Sequence, residues 1–279
     1  MSFDALTPGT ALPEFHVSAP EPTEPRENKI HEDTVARQYG FKGGLVPGVT
    51  VYGWLTHPVV EALGAEWLEG GSFRTRFAKP IYFDEPAVIR ARVTSRTGDH
   101  VSIEAVAHNA VGEICGSAQM SLSRAPRPHP PDAETYATAA LPVERPQVCR
   151  AHLEGLRVLG TPELHLTPES AAMYLARFGE TLALYRGPEA PAHPGTYLDL
   201  ANKALSGNVR VSPWIHVESQ GSHWSVARVG ERLGMRGRVQ RLFEKKGHQF
   251  VELDLLLVSH GSRPVAAIRH VAIYQLRPA

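Results

Sequence analysis

Gly43-Gly44-Leu45-Val46-Pro47-Gly48, followed at once by Val49-Thr50-Val51-Tyr52-Gly53-Trp54-Leu55-Thr56-His57-Pro58-Val59-Val60-Glu61-Ala62-Leu63, is the stretch on which the fold turns. The Gly/Pro cluster marks a tight loop. The residues after it are apolar on every face and too many for a strand, so they predict a buried helix over 49–63, with Pro58 as a place for a kink. Beyond Gly70-Gly71 the hydrophobic period changes to two. Strands are predicted at 73–77, 87–94, 101–108 and 113–122, with turns at Asp84-Glu85-Pro86, Thr97-Gly98-Asp99 and Val111-Gly112. Ahead of the loop, the first 25 residues are rich in Pro, Glu and Thr and read as an irregular lead-in. A short helix is expected over 33–39, with Asp33 as its N-cap and Gly40 as its stop. A buried helix followed by an antiparallel meander is an α+β unit.

The pattern then repeats. Residues 124–150 are proline-rich with little apolar periodicity, a linker composition. A helix is expected over 169–185, capped by Thr167 ahead of Pro168. His193-Pro194-Gly195 opens a second one over 196–205. Strands are expected at 214–218, 224–229, 232–244, 249–258 and 265–276. Val46-Pro47-Gly48 aligns with His193-Pro194-Gly195, Arg90-Ala91-Arg92-Val93 with Arg236-Gly237-Arg238-Val239, and the Gly112 turn with the Gly261 turn. The reading is an internal duplication: one unit over 1–123, a linker over 124–150 and a degenerate unit over 151–279. Each unit wraps an antiparallel sheet around one long helix, and the two sheets pair edge to edge.

Composition narrows the function classes. Among 279 residues, 29 basic and 29 acidic side chains balance, with no polybasic run, which argues against a nucleic-acid or membrane-surface partner. No apolar segment approaches the roughly 20 residues that span a bilayer, and the first residues lack the basic-then-apolar pattern of a signal peptide. A cytoplasmic protein is the expectation. Cys115 and Cys149 have no metal-type spacing, and Cys115 reads as a small core residue. The 14 histidines show no ligand spacing. No Gly-x-Ser-x-Gly, nucleotide loop or His-Glu-x-x-His is present, and no cofactor is implied.

The segment richest in chemistry is Arg26-Glu27-Asn28-Lys29-Ile30-His31-Glu32-Asp33, followed by Ala36, Gly40-Phe41 and the Val46-Pro47-Gly48 turn. A histidine exchanges protons near neutral pH. Free backbone N–H groups at a helix start, helped by the helix dipole, hold a developing oxyanion. A glycine there lets a carbonyl approach the backbone closely. Other histidines carry less: His193 reads as a relic of the repeat, His216 as one face of a strand, and His248 as part of a charged hairpin.

This segment resembles the hydratase motif of the MaoC-like enoyl-CoA hydratases and dehydratases: Asp-x-Asn-Pro-(Leu/Ile)-His, then x-Asp and an Ala. Phe77-Ala78-Lys79-Pro80-Ile81-Tyr82-Phe83-Asp84-Glu85 is similar to the strand entry of the same family. The resemblance covers 26–122 well and 160–279 as a degenerate second unit, and it implies an α+β double hotdog fold. It implies a catalytic role for His31, with Asn28 as the motif asparagine and Gly48 as the glycine whose N–H faces the thioester oxygen. Val46 and Pro47 would line the substrate turn. Asp33 matches the family's aspartate two residues after the histidine.

Two positions depart from the motif. The family's catalytic aspartate falls on Arg26 and its proline on Lys29. Arg26 is instead suited to a substrate carboxylate or a CoA phosphate. Three readings of the lost carboxylate stay open: Glu27 replaces it, the second half supplies an acid, or hydration has been lost. The resemblance implies a hydro-lyase interconverting 3-hydroxyacyl and 2-enoyl thioesters, carried on CoA or acyl carrier protein, in a chain that can also form a homodimer. A thioesterase and a non-catalytic thioester-binding module are the alternatives.

Overall fold

The computed structural model describes residues 3–21 and 26–277. Among the described residues there are six helices: α1 (Asp33–Gln38), α2 (Gly48–Leu63), α3 (Ala65–Gly70), α4 (Arg150–Gly155), α5 (Pro168–Phe178) and α6 (Pro194–Ser206). The first five strands are β1 (Phe15–Val17), β2 (Ser72–Phe77), β3 (Ala87–Thr97), β4 (His100–His108) and β5 (Ile114–Ser123). The second five are β6 (Glu163–His165), β7 (Ile215–His223), β8 (Arg232–Lys245), β9 (His248–Ser259) and β10 (Arg263–Gln275).

All ten strands form one antiparallel sheet in the order β1-β3-β4-β5-β2-β7-β10-β9-β8-β6. The order reads the same from either edge when each strand is exchanged for its counterpart in the other half. The join is the antiparallel pair β2–β7, with Phe73 opposite Gly221 and Thr75 opposite Ser219. α2 lies in the curve of the first half and α6 in that of the second, and the two helices pack on each other. Only Gly48 and Glu61 of α2 are not fully buried, so this helix is held by burial on all sides. That burial offsets the hydrogen bond lost at Pro58, through which the helix runs uninterrupted.

The two halves match in detail. β3 bulges between Val93 and Ser95 and β8 between Val239 and Arg241. Beside these bulges Arg92 pairs with Glu104 and Arg238 with Asp254 across the adjacent strand.

Several expectations are corrected. The lead-in is not wholly irregular: it contains a 3-10 turn at Phe3–Ala5 and β1, which closes the sheet against β3; residues 22–25 lie outside the described part. Asp33 is the first residue of α1, and Glu32 holds the cap position. The helix expected over 169–185 ends at Phe178, because Gly179 turns left-handed at φ 60° and stops it. The strand expected at 214–218 runs on to His223 as β7, and the strand expected at 224–229 is an irregular return instead. α3, α4 and β6 were not expected. Residues 124–149 hold only a 3-10 turn, Ala133–Thr135.

Candidate active site

His31 ends a 3-10 turn, Lys29–His31, whose N-cap is Asn28. The Asn28 side chain is a clamp between the halves: Nδ2 donates to Trp214 O at 2.9 Å, and Oδ1 accepts from Trp214 N at 3.1 Å. Asn28 Nδ2 also lies 3.4 Å from His31 Nε2. On the other side of the ring, Nδ1 lies 2.7 Å from Leu45 O. A carbonyl can only accept, so His31 carries its proton on Nδ1 and leaves the Nε2 lone pair available. Burial pushes the imidazole down to about 4, the Leu45 carbonyl opposing the shift. At neutral pH the ring is uncharged and able to take a proton.

The glycine loop is fitted against this turn. Asp33 Oδ1 accepts from Gly44 N at 2.8 Å, so the carboxylate expected to cap α1 holds the loop instead. A Cβ on Gly44 would stand 2.4 Å from the His31 carbonyl oxygen, which is why no side chain fits there. Val46 N donates to Ile81 O at 2.8 Å, tying the Val46-Pro47-Gly48 turn to the segment entering β3. Pro47 caps α2, and the Gly48 N–H, first of the helix, makes no hydrogen bond among the described residues.

Two cavities meet here. The first, about 440 Å³, is lined by His31, Val46, Gly48, Phe77, Cys115 and His216 among others. The second, about 480 Å³, is faced by the charged side chains of Arg26, Glu27, Arg177, Asp199 and Lys203. Asn28, His31, Pro47, Asn202 and Trp214 border both. The structure therefore brings Asn28, His31, Val46, Pro47 and Gly48 together at one cavity, with Arg26 in the adjoining one.

Arg26 sits 5.6 Å over the Phe83 ring, and burial together with nearby Arg177 lowers its affinity for its proton. Glu27 is exposed and engaged by Arg145. The second half does bring a carboxylate. Asp199, on α6, accepts from Arg177 at 2.9 Å and from Tyr174 OH at 2.8 Å, with Lys203 at 3.3 Å. Burial alone would raise its pKa, but Arg177 and Lys203 more than offset this and hold it ionised. Cys115 points its thiol toward Pro80 O, and burial raises its pKa, so it stays protonated.

Trp214, Asn202, Asp199 and His216 were missed as site residues in the sequence. All come from the second half, and the β2–β7 join and the packing of α6 on α2 carry them to His31. The buried Asn202 Oδ1, without a partner among the described residues, is the kind of signal only coordinates supply. The second half's own helix start is closed: Phe178 packs so near Gly195 that a Cβ there would stand 2.5 Å from its ring. His193 accepts from Gly195 N at 3.1 Å and faces Glu180, which also holds His57 at 2.8 Å. Among the described residues no group of three His, Cys, Asp or Glu is placed to hold a metal ion, and no helix is long and apolar enough to cross a membrane.

No family model and no curated protein matches this sequence. Solved structures do match. A Mycobacterium tuberculosis protein described as having a double hotdog fold aligns over 97% of each chain at 14% identity, with a TM-score of 0.70. A Chloroflexus aurantiacus protein assigned as a MaoC-domain dehydratase aligns over 98% of this chain and 97% of its own at 9% identity, TM-score 0.69. A Novosphingobium aromaticivorans protein assigned as a thioesterase aligns over 99% of this chain and 100% of its own at 13% identity, TM-score 0.57. At such identities the likeness carries the fold: the chain is a double hotdog, with one open helix-start site and one filled.

Proposed function

We propose that the chain binds an acyl thioester and interconverts its 3-hydroxyacyl and 2-enoyl forms, with His31 as the base. The carrying observation is the His31 ring, pinned through Nδ1 to Leu45 O, with its unprotonated Nε2, 3.4 Å from Asn28 Nδ2, at a cavity that also holds the Gly48 N–H, unpartnered among the described residues. In the dehydration direction Nε2 takes the proton from C2 while Gly48 N–H receives the carbonyl oxygen as it gains enolate charge. The hydroxyl leaves C3 as water, using the proton that the imidazolium has just acquired, so no second carboxylate is needed at position 26. Asn28 positions the ring. The acyl chain lies in the first cavity along Leu45, Val51, Phe77 and Ile81, and Arg26 and Arg177 offer the second to an anionic part of the carrier. The neighbours in structure space assigned as dehydratases support the reading.

Loss of enoyl absorbance on mixing with crotonyl-CoA and longer 2-enoyl-CoAs is the expected result. Well-folded protein that hydrates none of them would sink the proposal.

Thioester hydrolysis is a second reading, favoured by one observation. Asp199 is an ionised carboxylate in a cavity that His31 also borders, a setting that can orient water. Free thiol released from saturated acyl-CoA would support it over hydration.

A further inference from the structure

β7 is irregular beside the site. Val271 of β10 pairs with Glu218 and Ala272 with His216, which leaves Val217 unpaired. A bulge re-aims the side chains around it. Here it sets His216 and Ser219 on one buried face, although residues three apart in a regular strand point to opposite faces. Ser219 lies directly across from His270. His216 Nε2 is 2.8 Å from Ser219 Oγ, and that oxygen is 2.9 Å from His270 Nδ1. All three residues are buried. At the ends of the chain, His216 Nδ1 and His270 Nε2 have no partner among the described residues. His216 lines the first cavity, and a Cβ on Gly48 would stand 3.2 Å from its Nδ1. The Phe77 ring stands edge-on to the imidazole at 4.8 Å.

The single hydroxyl proton of Ser219 can go either way. If it goes to His270, that ring carries its own proton on Nε2, stranding an N–H donor in the interior. If it goes to His216 Nε2, Ser219 accepts from His270 Nδ1–H. The group left at His270 is then only a lone pair, and the remaining N–H is the buried Nδ1 of His216, the residue of the pair that lines the cavity and so can find a partner on a bound ligand. Orphaned buried donors are rarer than orphaned acceptors, so the second arrangement is favoured.

We propose that His216 Nδ1–H is a second donor to the thioester carbonyl oxygen held by Gly48 N–H, its tautomer fixed by Ser219 and His270. This rests on the thioester reading above. A carbonyl oxygen accepts two hydrogen bonds, and two preorganised donors make a complete hole for the enolate oxygen. Ser219 and His270 are positioning residues that act through His216.

The test begins with the unmutated full-length chain, labelled with 15N at histidine. Two-bond nitrogen–proton correlations should show His216 protonated on Nδ1, with assignment from His216→Gln or His270→Gln. Ser219→Ala should move that proton to Nε2. An Nε2–H tautomer in the unmutated chain overturns the inference. In kinetics, His216→Gln should lower kcat about 10²-fold, with KM changed by no more than a few-fold. Undiminished kcat in a folded His216→Gln protein also overturns it while leaving the functional reading in place. Absence of any thioester turnover by the unmutated chain would remove the functional reading, and this donor role with it.

Discussion

At the scale of single residues, His31 is defined by two hydrogen bonds that divide its ring into an anchored side and a working side. Nδ1–H is spent on Leu45 O, so only Nε2 can exchange a proton with a ligand. Replacing it with glutamine keeps a donor for Leu45 but removes the base, and turnover should fall by about 10²–10⁴-fold. Activity within a factor of two of the unmutated chain would remove His31 from its role. The pH dependence follows from burial. Because the ring holds its proton only below about 4, kcat/KM should rise through that region and stay level across neutral pH. Asn28→Asp tests the neighbouring contact. It deletes the donor to Trp214 O and places a carboxylate 3.4 Å from Nε2. An adjacent anion favours the imidazolium, so the acid limb of the rate profile should move upward. A limb that stays in place would show that Asn28 does not address the catalytic side of the ring.

At the scale of elements, the loop from Gly43 to Gly48 uses two glycines for different ends, and alanine separates them. At Gly44 a methyl would meet the backbone of His31, which cannot yield without moving the turn. Overpacking of this sort costs about 1–3 kcal/mol, so Gly44→Ala should lower both the urea midpoint and the activity. At Gly48 a methyl would meet the Phe77 ring at 3.1 Å and His216, both side chains, at the start of a helix that alanine favours. Gly48→Ala should therefore keep its midpoint and lose turnover, because the methyl occupies the place where the carbonyl approaches. Equal losses of stability in the two variants would refute this division.

The same scale shows what the sequence made legible. α2, α6 and the long strands were readable, because each keeps its period over enough residues to reveal which face is buried. β1 and β6 are three residues long, too short to show a period, and they exist because the sheet's outer strands need partners. From sequence, β7 reads as a strand ending at 218, with another beginning at 224. Its bulge at Val217 breaks the alternation, and its Gly221-Ser222 stretch looks like a turn. The motif residues of the site were legible for a similar reason: Asn28, His31 and Gly48 lie within one local segment. Trp214, His216 and Asp199 were not, since no local pattern records that β2 and β7 share an edge.

At the scale of the whole molecule, the duplicated fold encloses many imidazoles and keeps them neutral. Burial lowers His31 and His223 to about 4 and His270 to about 3, takes His216 well below the ordinary value, and lowers His193 against the pull of Glu180. In the unfolded chain these rings titrate near 6.5. Between that value and their folded values, the unfolded state binds protons that the folded state refuses. Stability is then fully present above about 6.5 and falls as the pH drops toward 3, each ring contributing up to about 1.4 kcal/mol per pH unit. The buried carboxylates do not compensate. Glu180 and Asp199 are held below the ordinary carboxylate range by their partners, so they too favour the unfolded state once the pH falls below about 4.5. All seven groups act with one sign. The urea midpoint of the full chain should be level from pH 8 to 7 and fall steeply from pH 6 to 4. The two histidines of the β7–β10 cluster set the expected partial rescue: His270→Phe removes one of the rings that must charge on unfolding. Its midpoint should depend less steeply on pH than that of the unmutated chain, whatever its value at pH 8. A midpoint that did not move between pH 7 and pH 4.5 would mean that these rings are protonated in the folded protein, and the neutral His31 on which the proposed chemistry depends would fall with them.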